Sequence, residues 1–193
     1  MGRYNAFART YFPAEINPIK RKPIPVDEIK RIQKLCMTTD DDMRWLIALI
    51  SDTGMRLGEA AGLHLDDIRL NEPIPHIDLK PHPWRSLKTK GSERRIPLVG
   101  VALWAAERIL ENGSESKIAF PRYCNEFGCN ANSASNGLNK WLHQTMPKRV
   151  VIHSFRHSLR DRLRAVGCPT EFVDTIGGWQ VALVCKGMEM VIH

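Results

Sequence analysis

The chain has 193 residues, room for one ordinary domain with or without a fragment of a second. Its apolar share of 43% is enough for a core, and no run of 18 apolar residues occurs, so no stretch reads as a membrane span. Lys and Arg number 28 against 21 Asp and Glu, and the resulting net charge of +7 with a pI near 9.3 suits a polyanionic partner.

The N-terminal stretch "MGRYNAFARTYFPAEINPIKRKPIP" lacks an apolar h-region, so it does not read as a secretory signal. Pro13, Pro18, Pro23 and Pro25 together with the basic run "KRK" at 20–22 give residues 1–25 the chemistry of a linker. The globular part is expected to begin near Val26, where "PVDEIKRIQKLC" predicts a helix with Ile29, Ile32 and Leu35 on one face. "DDDMRWLIALISDTG" follows, with acids at a helix start and a middle, Trp45 to Ile50, that is apolar all round. It predicts a buried central helix. Gly54 breaks it before a short helix from about Arg56 to Leu63.

From Pro73 to Val99 the pattern changes. "HIDL" and "RRIPLV" predict strands around the polar turn "KTKGSE", and a small antiparallel sheet of about three strands is expected. Helices resume in "VALWAAERIL" and in "SASNGLNKWLHQTM", where Leu138, Trp141 and Leu142 form an i, i+3, i+4 stripe. In "RVVIHSFRHSLRDRLRAVGCP", Phe155, Leu159, Leu163 and Val166 make an apolar stripe with Arg156, Arg160 and Arg164 beside it. Gly167 and Pro169 end this helix, and "TEFVDTIGG" predicts a short one after it. One reading is a basic surface helix solvated along its arginines; another is a helix-turn-helix that reads DNA without catalysis.

Cysteines stand at Cys36, Cys124, Cys129, Cys168 and Cys185, an odd count with no C-x-x-C pair, so a reduced, cytosolic chain is expected. Cys124, Cys129 and His143 are poorly spaced for a metal clip, and no metal site is predicted.

Two stretches carry chemistry. Arg56 follows Gly54 at a helix start, where a guanidinium beside backbone N–H groups makes an anion site, and Glu59 is placed to hold that arginine. His153 and Arg156 stand at i, i+3 on a second helix. An arginine offers paired donors to phosphate oxygens, and a histidine moves a proton near neutral pH. Two arginines and a histidine suit the charge-rich transition state of phosphoryl transfer, with Lys88 or Lys90 of the turn as a proton donor to a leaving oxygen.

These segments resemble the catalytic domain of the tyrosine recombinases, the phage integrase family. "TGMRLGEAAGLHLDDI" is similar to the family's first arginine box, "LKTKGSERRIPL" to its lysine hairpin, and "HSFRHSLRDRL" to its His-x-x-Arg box. "IGGWQ" falls where the family has Leu-Gly-His or Gly-Gly-Trp. The likeness covers roughly Pro25 to Trp179 and implies a mainly α fold with a small antiparallel β-sheet. It also implies site-specific recombination of double-stranded DNA, without metal or other cofactor, by tetramers that exchange C-terminal segments. Arg56 and Arg156 would clamp the scissile phosphate, Lys88 (or Lys90) would protonate the departing 5′ oxygen, and His153 would assist the nucleophile's proton. Trp179 would give its indole N–H to a phosphate oxygen, and Glu59 would support Arg56.

The family's nucleophile is a tyrosine shortly after the His or Trp position. Here the tyrosines are Tyr4, Tyr11 and Tyr123, and the tail reads "QVALVCKGMEMVIH" with Met188 about where the tyrosine belongs. A thioether cannot attack phosphorus. Residues 187–193 require GGN ATG GAR ATG GTN ATH CAY. Read one base earlier, with T at the third positions of Gly187 and Val191, this gives Tyr-Gly-(Asn or Asp)-Gly-Tyr-(Ser, Thr or Pro), which resembles the family's tyrosine segment. The expectation is therefore a linker remnant at 1–25, its N-terminal DNA-binding domain missing, then a catalytic domain at 26–193 with a frameshifted tail. The alternative is a catalytically inactive DNA-binding remnant or regulator of recombination.

Overall fold

The computed structural model describes residues 23–88, 92–112, 117–146 and 150–179. Helix α1 (Val26–Thr39) starts directly after Pro25, whose carbonyl accepts the Ile29 N–H, and Asp27 and Glu28 complement the dipole of its first turn. Its buried stripe is Ile29, Ile32, Gln33 and Cys36, so Leu35 lies at the margin rather than on the face predicted for it. Helix α2 (Asp42–Thr53) is capped by Asp41, whose carboxylate accepts the Arg44 N–H at 2.9 Å. Residues Leu46 to Ser51 of α2 are buried on every side, because α1, α3, α4 and α6 all pack on it.

The short helix α3 (Leu57–Ala61) leads through a 3-10 turn (Leu65–Asp67) into a sheet of β1 (Ile68–Arg69), β2 (His76–Leu79) and β3 (Arg94–Pro97). The order is β1-β2-β3, antiparallel throughout, with Ile77 opposite Ile96 and Leu79 opposite Arg94. Alternation turns Ile77, Leu79 and Ile96 into the core, and it turns Arg94 inward with them. Helix α4 (Gly100–Glu111) lays Ala102, Ala105 and Ala106 against α2, small residues that allow close approach.

A two-stranded hairpin, β4 (Cys124–Asn125) and β5 (Gly128–Cys129), precedes α5 (Ala131–Thr145), α6 (Ile152–Ala165) and α7 (Thr170–Gly177). The hairpin register sets Cys124 opposite Cys129, and the two form a disulfide. The reduced state predicted for these two cysteines is thereby corrected: cross-strand pairing brings the sulfurs together. Cys185 lies outside the described residues.

The predicted stripe on α6 also needs correction. Phe155 and Leu159 are buried and Leu163 half-buried, but the helix ends at Ala165 and Val166 is 79% exposed. The arginine row runs from core to solvent, with Arg156 buried, Arg160 half-buried and Arg164 exposed. That rules out a helix solvated along all its arginines. Among the described residues no helix is long and apolar enough to cross a membrane.

Candidate functional site

The end of α2, the start of α3, the inner face of β3, the start of α6 and the end of α7 meet beside the core. Arg56 enters this junction as the residue before α3. Its own N–H donates to Glu59 Oε2 at 3.0 Å, and its Nη1 pairs with Glu59 Oε1 at 2.6 Å. The helix start is thus occupied by the protein's own carboxylate, and the guanidinium rather than a free amide end faces outward. Its Nη2 reaches the Gly178 carbonyl at 3.4 Å, and its side chain stays 28% exposed.

Arg156 enters from the first turns of α6 and is 4% exposed. Its Nη1 donates to the Gly54 carbonyl at 2.7 Å, whereas its Nη2 is buried with no hydrogen-bond partner. Burial first, and then the charge of Arg56, push this guanidinium down to about 10, still charged at neutral pH. Arg156 thus lies buried beside a second cation, with the Glu59 carboxylate acting on it but with no ion pair of its own among the described residues.

Trp179 closes the junction from the end of α7. Its indole centroid lies 4.5 Å from the Arg156 guanidinium and 5.1 Å from that of Arg160. The two glycines before it explain how the ring gets there. A Cβ on Gly177 would fall 1.7 Å from Trp179 Cζ3, so only glycine lets the indole fold back over the helix end. Gly178 has φ +59° and would bring a Cβ within 2.9 Å of Arg94 Nη1, so its hydrogen is required twice over.

Arg94 binds these parts together. From β3 it donates through Nη2 to Glu59 Oε2 at 3.0 Å, through Nη1 to the Ser92 carbonyl at 2.7 Å and through Nε to the Ile176 carbonyl at 2.8 Å. One guanidinium therefore links α3, the strand leaving the lysine turn, and α7. Burial pushes the Glu59 carboxyl up, but the hydrogen bond and charge of Arg94, with the bonds from Arg56, outweigh it and hold Glu59 below its ordinary value.

Of the five residues singled out in the sequence, Arg56, Arg156 and Trp179 come together through these contacts. His153 lies one helical turn before Arg156 but on the exposed side of α6, its ring edge-on to His157 at 5.0 Å. Lys88 is exposed at the last described position before residues 89–91, and Lys90 lies outside the described residues. Arg94 and Arg160 are the residues that sequence reasoning passed over. For Arg94 the signal was present: in "RRIP" it occupies the same inward register as Ile96.

The profile of the phage integrase family matches residues 22–182. No curated protein matches the chain by sequence. Among solved structures, XerA recombinase superposes with a TM-score of 0.65 at 18% identity, over 86% of this chain and 58% of that one. The Tn1549 transposon integrase in complex with circular intermediate DNA gives 0.61 at 18% identity, over 87% and 60%. A lambda integrase tetramer bound to a Holliday junction gives 0.57 at 14% identity, over 92% and 52%. The chain thus spans under two thirds of the length of each.

Proposed function

The chain belongs to the phage integrase family, and on that premise we propose that its junction holds a phosphodiester of double-stranded DNA between Arg56 and Arg156, in site-specific integration or excision. The observation that supports this most directly is the buried Arg156 Nη2, which lacks a partner. A phosphate oxygen there would satisfy that donor and offset the repulsion between the two guanidiniums. Glu59 and Arg94 would keep Arg56 at its angle. Lys88 is the proposed proton donor to the departing 5′ oxygen, with Lys90 as the other candidate on the same turn. His153 would take up the nucleophile's proton, and Trp179 would both cover the arginines and give its N–H to an oxygen.

In this reaction a tyrosine oxygen attacks phosphorus, the bond to the 5′ oxygen breaks, and the phosphodiester is kept as a protein–DNA link. No tyrosine follows Trp179 in this sequence, and Tyr123 is buried against α5. The alternative form of the proposal is a chain that binds DNA without cutting it. We read residues 26–193 as the catalytic domain, with residues 1–25 as linker and the tail after Trp179 as a frameshifted tyrosine segment; nearly all of that linker and all of that tail lie outside the described residues. Bases other than T at the third positions of Gly187 and Val191 would end the frameshift reading.

The test of the main reading is a titration of duplex DNA at several salt concentrations. Arg56→Ala and Arg156→Ala should each weaken binding and flatten its salt dependence. Affinity that does not respond to salt would sink it. A nicked suicide substrate separates the two forms of the proposal, since a covalent adduct would mean that cleavage survives. Assembly on DNA as a tetramer and action in the cytoplasm complete the proposal, and there the Cys124–Cys129 bond would be open to reduction.

A further inference from the structure

Arg160 stands four residues, about one helical turn, beyond Arg156, roughly 6 Å along α6. Both guanidiniums lie against the same indole, that of Trp179. Arg160 makes one ion pair, to Asp174 Oδ1, at 3.4 Å, the long end for such a contact. Its Nε is buried without a partner, and 35% of the side chain remains exposed. Counted through their contacts, four guanidiniums (Arg56, Arg94, Arg156 and Arg160) share two carboxylates, Glu59 and Asp174. One bound phosphodiester carries a single negative charge and leaves this group with an excess cation.

We propose that Arg160 is a second phosphate contact, taking the phosphate next to the one held by Arg56 and Arg156 on the same DNA strand. The proposal rests on the clamp reading given above and extends it by one residue. Successive phosphates on a strand are separated by a distance of the same order as one helical turn, so a pair of arginines at i, i+4 matches two of them. Trp179 gives both cations one ring to rest against, which limits the side-chain freedom lost when DNA arrives. Asp174 is the resting partner of Arg160. Its long contact is exchanged for a phosphate oxygen at little cost, because a charge-assisted bond of ordinary length replaces it.

The experiment is a salt titration of the full chain on a duplex of arbitrary sequence, comparing wild type with Arg56→Ala, Arg156→Ala and Arg160→Ala. Loss of one phosphate contact lowers the slope of log K against log salt by about 0.9, so a rise from roughly 50 to 200 mM costs the variant about 3-fold less affinity than it costs wild type. Arg160→Ala should show that change uniformly across duplex sequences. Arg160→Lys, which keeps the charge, should retain the slope. Asp174→Asn removes the competing carboxylate and should tighten binding.

A full wild-type slope in a folded Arg160→Ala, while Arg56→Ala and Arg156→Ala lower theirs, overturns the second contact and leaves the clamp standing. Wild-type binding that ignores salt removes both. Should Arg160→Ala fail to fold, Arg160→Lys and Asp174→Asn decide: a slope lost in the first, or binding not tightened in the second, overturns the proposal.

Discussion

Two arginines are buried to the same degree, Arg85 at 3% exposure and Arg156 at 4%, and they are used in opposite ways. Arg85 reaches the Glu59 carbonyl at 3.0 Å, the Asp67 carboxylate at 3.2 Å and the Lys80 carbonyl, so both of its Nη atoms are matched and its Nε alone is left without a partner. Asp67 in turn holds His82 at 2.8 Å, and His82 stacks on Trp84. Burial pushes both guanidiniums down, but the next influence on Arg85 is the carboxylate of Asp67, which pulls it back up. For Arg156 the next influence is another cation. The difference between the two is the carboxylate: Arg85 has one in contact, Asp67, and Arg156 has none in contact among the described residues.

The sharpest way to break that contrast is to remove each arginine. Arg85→Ala leaves the buried Asp67 with only the partly exposed Lys80, at 3.4 Å, as a cation beside its bond to His82, and loss of one partner from a buried pair costs about 3–5 kcal/mol. In a chain of this size that corresponds to a fall in Tm of at least about 6 °C. Arg156→Ala removes a cation from among cations and should cost far less stability while losing DNA affinity. Thermal melts of the two variants that match each other would show that the distinction is wrong.

Gly178→Ala comes next. A non-glycine residue at φ +59° costs about 1–2 kcal/mol, and the added methyl also presses on Arg94. Stability should fall by that amount, and DNA binding should weaken with it, because the Gly178 carbonyl accepts from Arg56 and Arg94 holds Glu59, the partner of Arg56. Urea denaturation beside a DNA titration checks both. A loss of stability with unchanged affinity would make Gly178 a helix-end residue only.

Much of this layout was legible in the sequence. The α2 segment announces itself by being apolar on every face, and the strands HIDL and RRIP by their alternation, since burial periodicity depends on local spacing alone. Arg56, Arg156 and Trp179 were legible because each sits in a short motif beside glycine or histidine. What was hidden is what depends on distant partners. Arg94 reads as one more charge in a basic turn until the sheet register turns it inward toward Glu59, 35 residues away in sequence. Arg160 reads as part of a solvated row until α7 folds Trp179 back against it. The cross-strand sulfurs of Cys124 and Cys129 needed the hairpin register, which five-residue spacing does not reveal.

A smaller effect is expected in acid. Glu59 is held below its ordinary value, so its contribution to stability is present above the unfolded carboxylate range, about 4.3, and is lost as pH falls through the folded value. Wild type should lose stability below about pH 4 more steeply than Glu59→Gln, which has no carboxylate to titrate. Parallel acid limbs for the two proteins would mean that Arg94 and Arg56 do not depend on the charge of Glu59.

The smallest effect is also the one that most directly tests the difference between the two arginines. If the Arg156 pocket lacks an anion, inorganic phosphate alone should bind there weakly and stabilise the fold by RT ln(1 + [L]/Kd), about 0.4 kcal/mol when its concentration equals Kd. Tm should therefore rise by about 1 °C in phosphate relative to chloride at equal ionic strength. Arg156→Ala should abolish that rise. Glu59→Gln, which removes the carboxylate nearest to Arg56, should enlarge it, because a phosphate then meets less competition for the same donors. Both Nη atoms of Arg85 already have acceptors and the Asp67 carboxylate stands beside it, so an increment that follows Arg85 instead of Arg156 would reverse the assignment of the two sites.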